Sequence, residues 1–177
     1  LFQNILDMAR IDAGAIATED RWAHPPEIIA AARDQVEHAL HPHALEVQVD
    51  PDVPVRLDPR LTATALAHLL ENAAQYAPSS VVITVRASVT EEGLVMSVRD
   101  HGPGIAPADL PHLFERFYRG AAAKSRASGT GMGLWIAREL LAAEHGQLWA
   151  ENCQGGGAQF TIAVPAPVKA TAPLTSA

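Results

Sequence analysis

Ser128-Gly129-Thr130-Gly131-Met132-Gly133-Leu134, running directly into Trp135-Ile136-Ala137-Arg138-Glu139-Leu140-Leu141, is the stretch on which the reading of this chain turns. Glycines at every second position ahead of an apolar periodic run describe a backbone that comes close to a ligand and then enters a helix. A helix start offers unpaired N–H groups and the positive end of the helix dipole, so the natural ligand of such a turn is an anion such as phosphate. Alone, a glycine-rich turn before a helix is ordinary loop geometry. It becomes a site only if other stretches point at the same place.

Working outward, Gly146 is expected to stop the helix, Gln147 to Cys153 reads as a strand, Gln154-Gly155-Gly156-Gly157 as a turn and Gln159 to Val164 as a closing strand. Everything from Pro165 onward is alanine, proline, threonine and serine, the composition of a disordered tail. Upstream, Gly120 to Ser128 is small and polar, with Lys124 and Arg126, and is expected to be mobile. Ala108 to Phe114 reads as a short helix. Val81 to Ser88 and Leu94 to Arg99 form a hairpin through Thr90-Glu91-Glu92-Gly93, and its second strand runs straight into Asp100-His101-Gly102-Pro103-Gly104-Ile105.

Before the hairpin, Asp58 caps a helix with Pro59 at its first position. That helix turns Leu61, Ala65, Leu69 and Ala73 inward and ends near Tyr76-Ala77-Pro78. Leu45, Val47 and Val49 alternate as a half-buried strand, and Val55-Arg56-Leu57 is a short one. Ile28, Ala32, Val36 and Ala39 repeat at helical spacing from Pro25 to Leu40, behind an extended link at Trp22 to Pro26. His38, His41 and His43 have no acidic or cysteine ligand beside them at metal-binding spacing, so no metal is expected there. The sum is an α+β two-layer sandwich, a mixed, mostly antiparallel sheet with helices on one face.

Leu1 to Ile16 reads as one more helix. Phe2, Leu6, Ala9, Ala13 and Ile16 recur at the spacing of a coiled coil or bundle, with Leu1, Ile5 and Met8 widening the stripe. It is expected to pack in a bundle with a preceding segment or a second copy rather than on its own domain. A chain that opens at Leu1 inside a helical pattern is expected to be a piece of something longer.

With 177 residues, 48% of them apolar, the chain can bury a real core. Its net charge of −7 argues against nucleic acid or an anionic membrane as the main partner. No apolar run approaches the roughly 20 residues that cross a bilayer. Cys153, the only cysteine, rules out an internal disulfide and points to a reducing compartment.

Four stretches then carry a resemblance: His68-Leu69-Leu70-Glu71-Asn72-Ala73-Ala74-Gln75-Tyr76, Asp100 to Ile105, Phe114-Glu115-Arg116-Phe117-Tyr118-Arg119, and Gly129 to Leu134. In order and spacing they resemble the N box, first glycine box, F box and second glycine box of sensor histidine kinases, within the GHKL superfamily and its Bergerat ATP-binding fold. Asn4 to Gly14 is similar to the second helix of the dimerisation bundle in these kinases, and the phrasing as a whole is similar to the potassium-responsive KdpD type. The resemblance implies residues 1–18 as that bundle helix, 19–165 as the catalytic ATP-binding domain and 166–177 as tail.

It also implies roles. Asn72 is the Mg²⁺ ligand, and with Arg119 it forms the catalytic set. Asp100 accepts from the adenine amino group, Tyr76 packs on or beside the base, and Gly102, Gly104 and Ile105 let the base lie against the backbone. Gly129, Thr130, Gly131, Gly133 and Leu134 hold the phosphates, with Arg119 neutralising them; Lys124 and Arg126 are read as solvated lid charge, with a phosphate contact as the alternative. The cofactors implied are ATP and Mg²⁺. The acceptor histidine lies before Leu1, the partners are that bundle and a response regulator, the whole protein is a homodimer, and its kinase portion is cytoplasmic beside an inner membrane. The chain departs from the pattern at His68, where many relatives carry Asn, and at Gln75, where they carry Lys or Arg. Those departures keep open a non-catalytic nucleotide-binding or dimerisation module, and the fold itself an anti-sigma-type serine kinase. His68 also stands where hydrolysing relatives place a water-activating Glu, so direct hydrolysis is not expected.

Overall fold

The computed structural model describes residues 1–79, 81–120 and 129–170. In chain order the elements are α1 (Phe2–Asp12), β1 (Arg21–Ala23), α2 (Pro25–Gln35), α3 (Glu37–Leu40), β2 (Leu45–Val49), β3 (Val55–Leu57), α4 (Pro59–Tyr76), β4 (Ile83–Thr90), β5 (Gly93–Arg99), a 3₁₀ turn (Leu110–His112), α5 (Gly133–Ala143), β6 (Gln147–Asn152) and β7 (Ala158–Pro165). Five strands form one sheet in the order β2-β4-β5-β7-β6, parallel between β2 and β4 and antiparallel elsewhere. The expected α+β sandwich is what the chain builds.

Helices α2, α4 and α5 cover one face of the sheet, and α4 has most to bury. Asp58 caps it by accepting from the backbone N–H groups of Arg60 and Leu61, Pro59 opens it, and Thr62, Leu66, Leu69, Leu70 and Ala73 are all buried. They meet Ile28, Ile29 and Ala32 of α2, Ala137 and Leu141 of α5, and the inward residues Val85, Met96, Val98, Phe160 and Ile162 of the sheet in one core. At roughly 25 cal/mol per Å² of apolar surface buried, that core is the main stabilising term of the fold.

Several expectations shift. β3 stays out of the main sheet and pairs with β1, the stretch read as an extended link, in a separate two-stranded sheet. The reading of everything beyond Pro165 as disordered is corrected for its first residues. Ala166 is buried and donates to Glu92 O, Arg56 N donates to Pro167 O, and Lys169 N donates to Pro54 O. The last two satisfy backbone groups of Arg56 and Pro54 on the side of β3 away from β1, while the first ties the segment to the β4–β5 turn. Residues 171–177 lie outside the described residues. The helix expected over Ala108 to Phe114 shrinks to the 3₁₀ turn, and the helix from Pro25 breaks after Gln35 into α2 and α3.

Helix α1 ends at Asp12, short of Ile16, where Gly14 takes a positive φ of 64°. Met8, Ile11 and Ile16 pack on Met132, Trp135, Ile136 and Leu140, so part of the apolar stripe expected to face a bundle is used on the chain's own domain. Leu1, Phe2, Ile5 and Leu6 stay exposed.

Candidate active site

The second half of α4 lays His68, Asn72 and the pair Gln75-Tyr76 along one helical face, since residues three and four apart stack. With Glu71 they form one wall of a cavity of about 310 Å³. Opposite stand Asp100 at the end of β5, the loop with Gly104 and Ile105, Arg119, and the run Gly129 to Gly131 leading into Gly133 and Leu134 of α5. Of the described residues expected at a nucleotide site, only Gly102 does not line the cavity, and its place is still dictated by it. A Cβ there would come within 2.7 Å of Tyr76 O, so Gly102 lets the strand end close against α4. Lys124 and Arg126 lie outside the described residues.

Asp100 is held for a purpose. It is 4% exposed, and its Oδ1 accepts from Gly102 N at 2.9 Å and from Ala158 N at 3.2 Å. Its Oδ2 has no partner among the described residues, which leaves one carboxylate oxygen, rigidly aimed, for a donor in the cavity. Asn72 likewise makes no side-chain hydrogen bond among the described residues. Ile105, Leu113, Leu134, Ala158 and Phe160 supply apolar wall, so the cavity combines a flat apolar region with a few aimed polar groups.

His68 is buried, and burial pulls its imidazole down to about 4 despite the opposing pull of Asp7 on α1. It is neutral at ordinary pH and brings no positive charge to the cavity. A Cβ on Gly133 would lie 3.2 Å from its Nδ1, so the imidazole packs directly under the start of α5.

Two positioning features were not visible in the sequence. Asn152, at the end of β6, accepts from Ile105 N at 2.7 Å and donates to Ile105 O at 2.8 Å, copying a strand neighbour with its side-chain amide and clamping the loop that walls the cavity. Tyr118 donates to Asp109 Oδ1 at 2.6 Å, bracing the backbone just before Arg119. That hydrogen bond also raises the tyrosine's pKa. The only sequence signal for Asn152 was a polar residue at a strand end.

The glycine run is tied down as well. Phe117 N donates to Gly131 O at 2.9 Å, with Phe117 in the left-handed region at φ 63° and Gly131 at φ 69°. A Cβ on Gly131 would come within 2.7 Å of the Phe117 carbonyl carbon. Holding a phenylalanine there costs about 1–3 kcal/mol, sustained by its surroundings. The neighbouring Arg116 makes a two-pronged bond to Asp12 of α1 at 2.9 and 3.1 Å, while its guanidinium lies 4.7 Å from the Trp135 ring and 5.2 Å from that of Phe117.

The family described as histidine kinase-, DNA gyrase B-, and HSP90-like ATPase matches residues 57–168. The signal transduction histidine-protein kinase AfsQ2 of Streptomyces coelicolor is 36% identical over 171 residues, covering 93% of this chain and 30% of that protein. The sensor protein KdpD of Escherichia coli is 34% identical over 165 residues, covering 93% of this chain and 18% of that protein. The chain thus spans less than a third of the length of either relative. Among solved structures, the mycobacterial sensor histidine kinase MprB superposes with a TM-score of 0.73 at 26% identity over 84% of this chain and 100% of that one. ShkA, solved at full length in complex with AMPPNP, gives 0.78 at 26% identity over 99% of this chain and 37% of that one.

Proposed function

The chain belongs to the histidine kinase-, DNA gyrase B- and HSP90-like ATPase family, and from that premise we propose that it is the ATP-binding catalytic part of a sensor histidine kinase. It would transfer the γ-phosphoryl of Mg-ATP to a histidine outside these residues, from which a response regulator takes it. The observation that carries this reading is the convergence of four separated stretches, around Asn72, Asp100, Arg119 and Gly131, on one cavity.

In this reading Asp100 Oδ2 accepts from the adenine amino group, while Tyr76 and Ile105 flank the base. The N–H groups at the start of α5 and the Arg119 guanidinium face the phosphates. The unpartnered side chain of Asn72, with Glu71 beside it, suits an oxygen-seeking divalent cation. Such an ion, when bound, neutralises charge on the transferring phosphoryl group. His68 stands where hydrolysing relatives carry a water-activating Glu, and this departure favours transfer to a protein acceptor over direct hydrolysis. Leu1, Phe2, Ile5 and Leu6, exposed on α1, would join a bundle in a homodimer, whose kinase part is cytoplasmic beside an inner membrane. Among the described residues no helix is long and apolar enough to cross a membrane.

Titration with a fluorescent ATP analogue, with and without Mg²⁺, tests the binding half, and wild type that fails to bind sinks the proposal. Transfer of label from ATP to a supplied bundle fragment bearing a histidine tests the chemical half. Label appearing on this 177-residue chain alone would refute the placement of the acceptor.

A further inference from the structure

On the face of the sheet turned away from the helices, β4 and β5 bring two guanidinium groups together. Their register sets Thr84 opposite Arg99 and Arg86 opposite Ser97, so the two arginines are diagonal neighbours on one face, within reach of each other's long side chains. Neither has an ion-pair partner among the described residues. Two cations placed side by side repel, and a chain of net charge −7 has carboxylates to spare. On the same face, Glu46 of β2 accepts from Gln48 Nε2 at 2.8 Å and Gln48 accepts from Arg86 Nε at 3.1 Å, while Glu151 of β6 stands beyond Gln159; neither carboxylate lines the space between the arginines. Arg99 donates from Nη2 to Gln154 O at 3.3 Å, but its Nε is buried with no partner.

Around them Thr84, Ser97, His101 and Gln159 complete a hollow of about 200 Å³. Guanidinium groups can only donate, and hydroxyl, imidazole and amide groups can donate as well, so the hollow presents converging donors and no carboxylate. We propose that it binds a phosphate-class oxyanion, whose oxygens accept from the guanidinium groups of Arg86 and Arg99 that line the hollow and whose charge offsets the repulsion between them. This site is separate from the nucleotide cavity and does not depend on it. The two lie back to back, since β5 ends with Arg99 in the hollow and continues into Asp100 in the cavity.

The phosphate could be free or the monoester of a small molecule. The test is a ¹⁵N NMR titration of the arginine Nε–H groups of the whole 177-residue chain, using inorganic phosphate, phenyl phosphate, and sodium chloride matched for ionic strength. Arg119 reports on the other cavity. The Arg86 and Arg99 signals are expected to move together along one saturating curve that Arg119 does not share. Saturation by inorganic phosphate alone identifies a free-ion site, whereas saturation by both identifies one that accepts esters. Arg86→Gln and Arg99→Gln should each weaken binding about tenfold or more. Ser97→Ala, which keeps both charges and the fold, should weaken it about threefold. Unmoved signals, a non-saturating drift, or an equal response to chloride would each overturn the site.

Discussion

Helices α4 and α5 run antiparallel and meet at both ends, and the two ends are built on opposite terms. At one, Glu144 closes α5 against the start of α4, accepting from Asp58 N at 2.7 Å and from the Thr62 hydroxyl at 2.7 Å. Asp58, itself fully buried, accepts from Glu19 N at 2.8 Å, from the first turn of α4 and from the Arg60 side chain. There the polar groups are paired with one another. At the other end, Asn72 and one oxygen of Asp100 face a cavity with no partner among the described residues. A pairing that closes on itself holds the helices together, and one left open is ready for a ligand.

The largest expected effect probes the open end. Asn72→Ala or Asp100→Asn should lower nucleotide affinity or phosphoryl transfer by about two orders of magnitude, roughly 3 kcal/mol, while the urea midpoint stays near that of wild type. A variant that binds nucleotide as wild type does would mean the cavity has been misread. Asp58→Ala is the converse at the closed end. Losing the helix cap and leaving Glu19 N without its acceptor should cost about 2 kcal/mol of stability in urea unfolding, with nucleotide affinity in the folded protein changed less than about threefold.

The comparison is sharpened by pH, because the two ends titrate in opposite senses. Burial raises Glu144 to about 7, against the opposing hydrogen bonds from Thr62 and Asp58 N. The folded state then holds more protons than the unfolded one between pH 4.5 and 7, and stability falls as pH rises through that window. Burial lowers His68 to about 4, so the folded state holds fewer protons between pH 4 and 6.5 and stability rises there. Each effect is worth about 3 kcal/mol at full extent, and they oppose one another, giving wild type a plateau near pH 4.5–6.5. Glu144→Gln should convert the plateau into a rise with pH, and His68→Asn into a fall. Unfolding midpoints that follow the wild-type profile in both variants would show that neither group is perturbed as described.

Smaller still, Asn152→Ala should raise KM for ATP about tenfold through loss of the Ile105 clamp, with kcat nearly unchanged. The smallest is Gly133→Ala, whose methyl group meets only the His68 ring edge. It should weaken nucleotide binding about twofold, whereas Gly131→Ala drives a methyl group into the Phe117 backbone and should also destabilise.

What could be read in advance follows the range of the interactions. Helix α4 was legible to its first residue because Asp58 and Pro59 act within one turn. That Asn72, Asp100 and Gly131 meet on one cavity could be anticipated because each stands in a local motif that chemistry restricts. Glu144 could not be paired with Asp58, 86 positions away, because nothing near either marks the partner. The Asn152 clamp, 47 positions from Ile105, escaped for the same reason. The β1–β3 sheet escaped because three-residue strands carry almost no periodic signal, and the packing of residues 166–170 because alanine and proline look alike whether packed or free.

The bond from Arg116 to Asp12 reaches across 104 positions of chain and fastens the N-terminal helix to the loop before the cavity. The same guanidinium lies against Trp135 in the first turn of α5, and the next residue, Phe117, is tied to Gly131. A twist or slide of α1 is therefore geared, through one side chain, to the backbone that walls the cavity. Removing Asp12 would strip the arginine of its counter-ion while the Phe117–Gly131 bond and the contact with Trp135 stay, so the ion pair is a joint that can open without unfolding the loop.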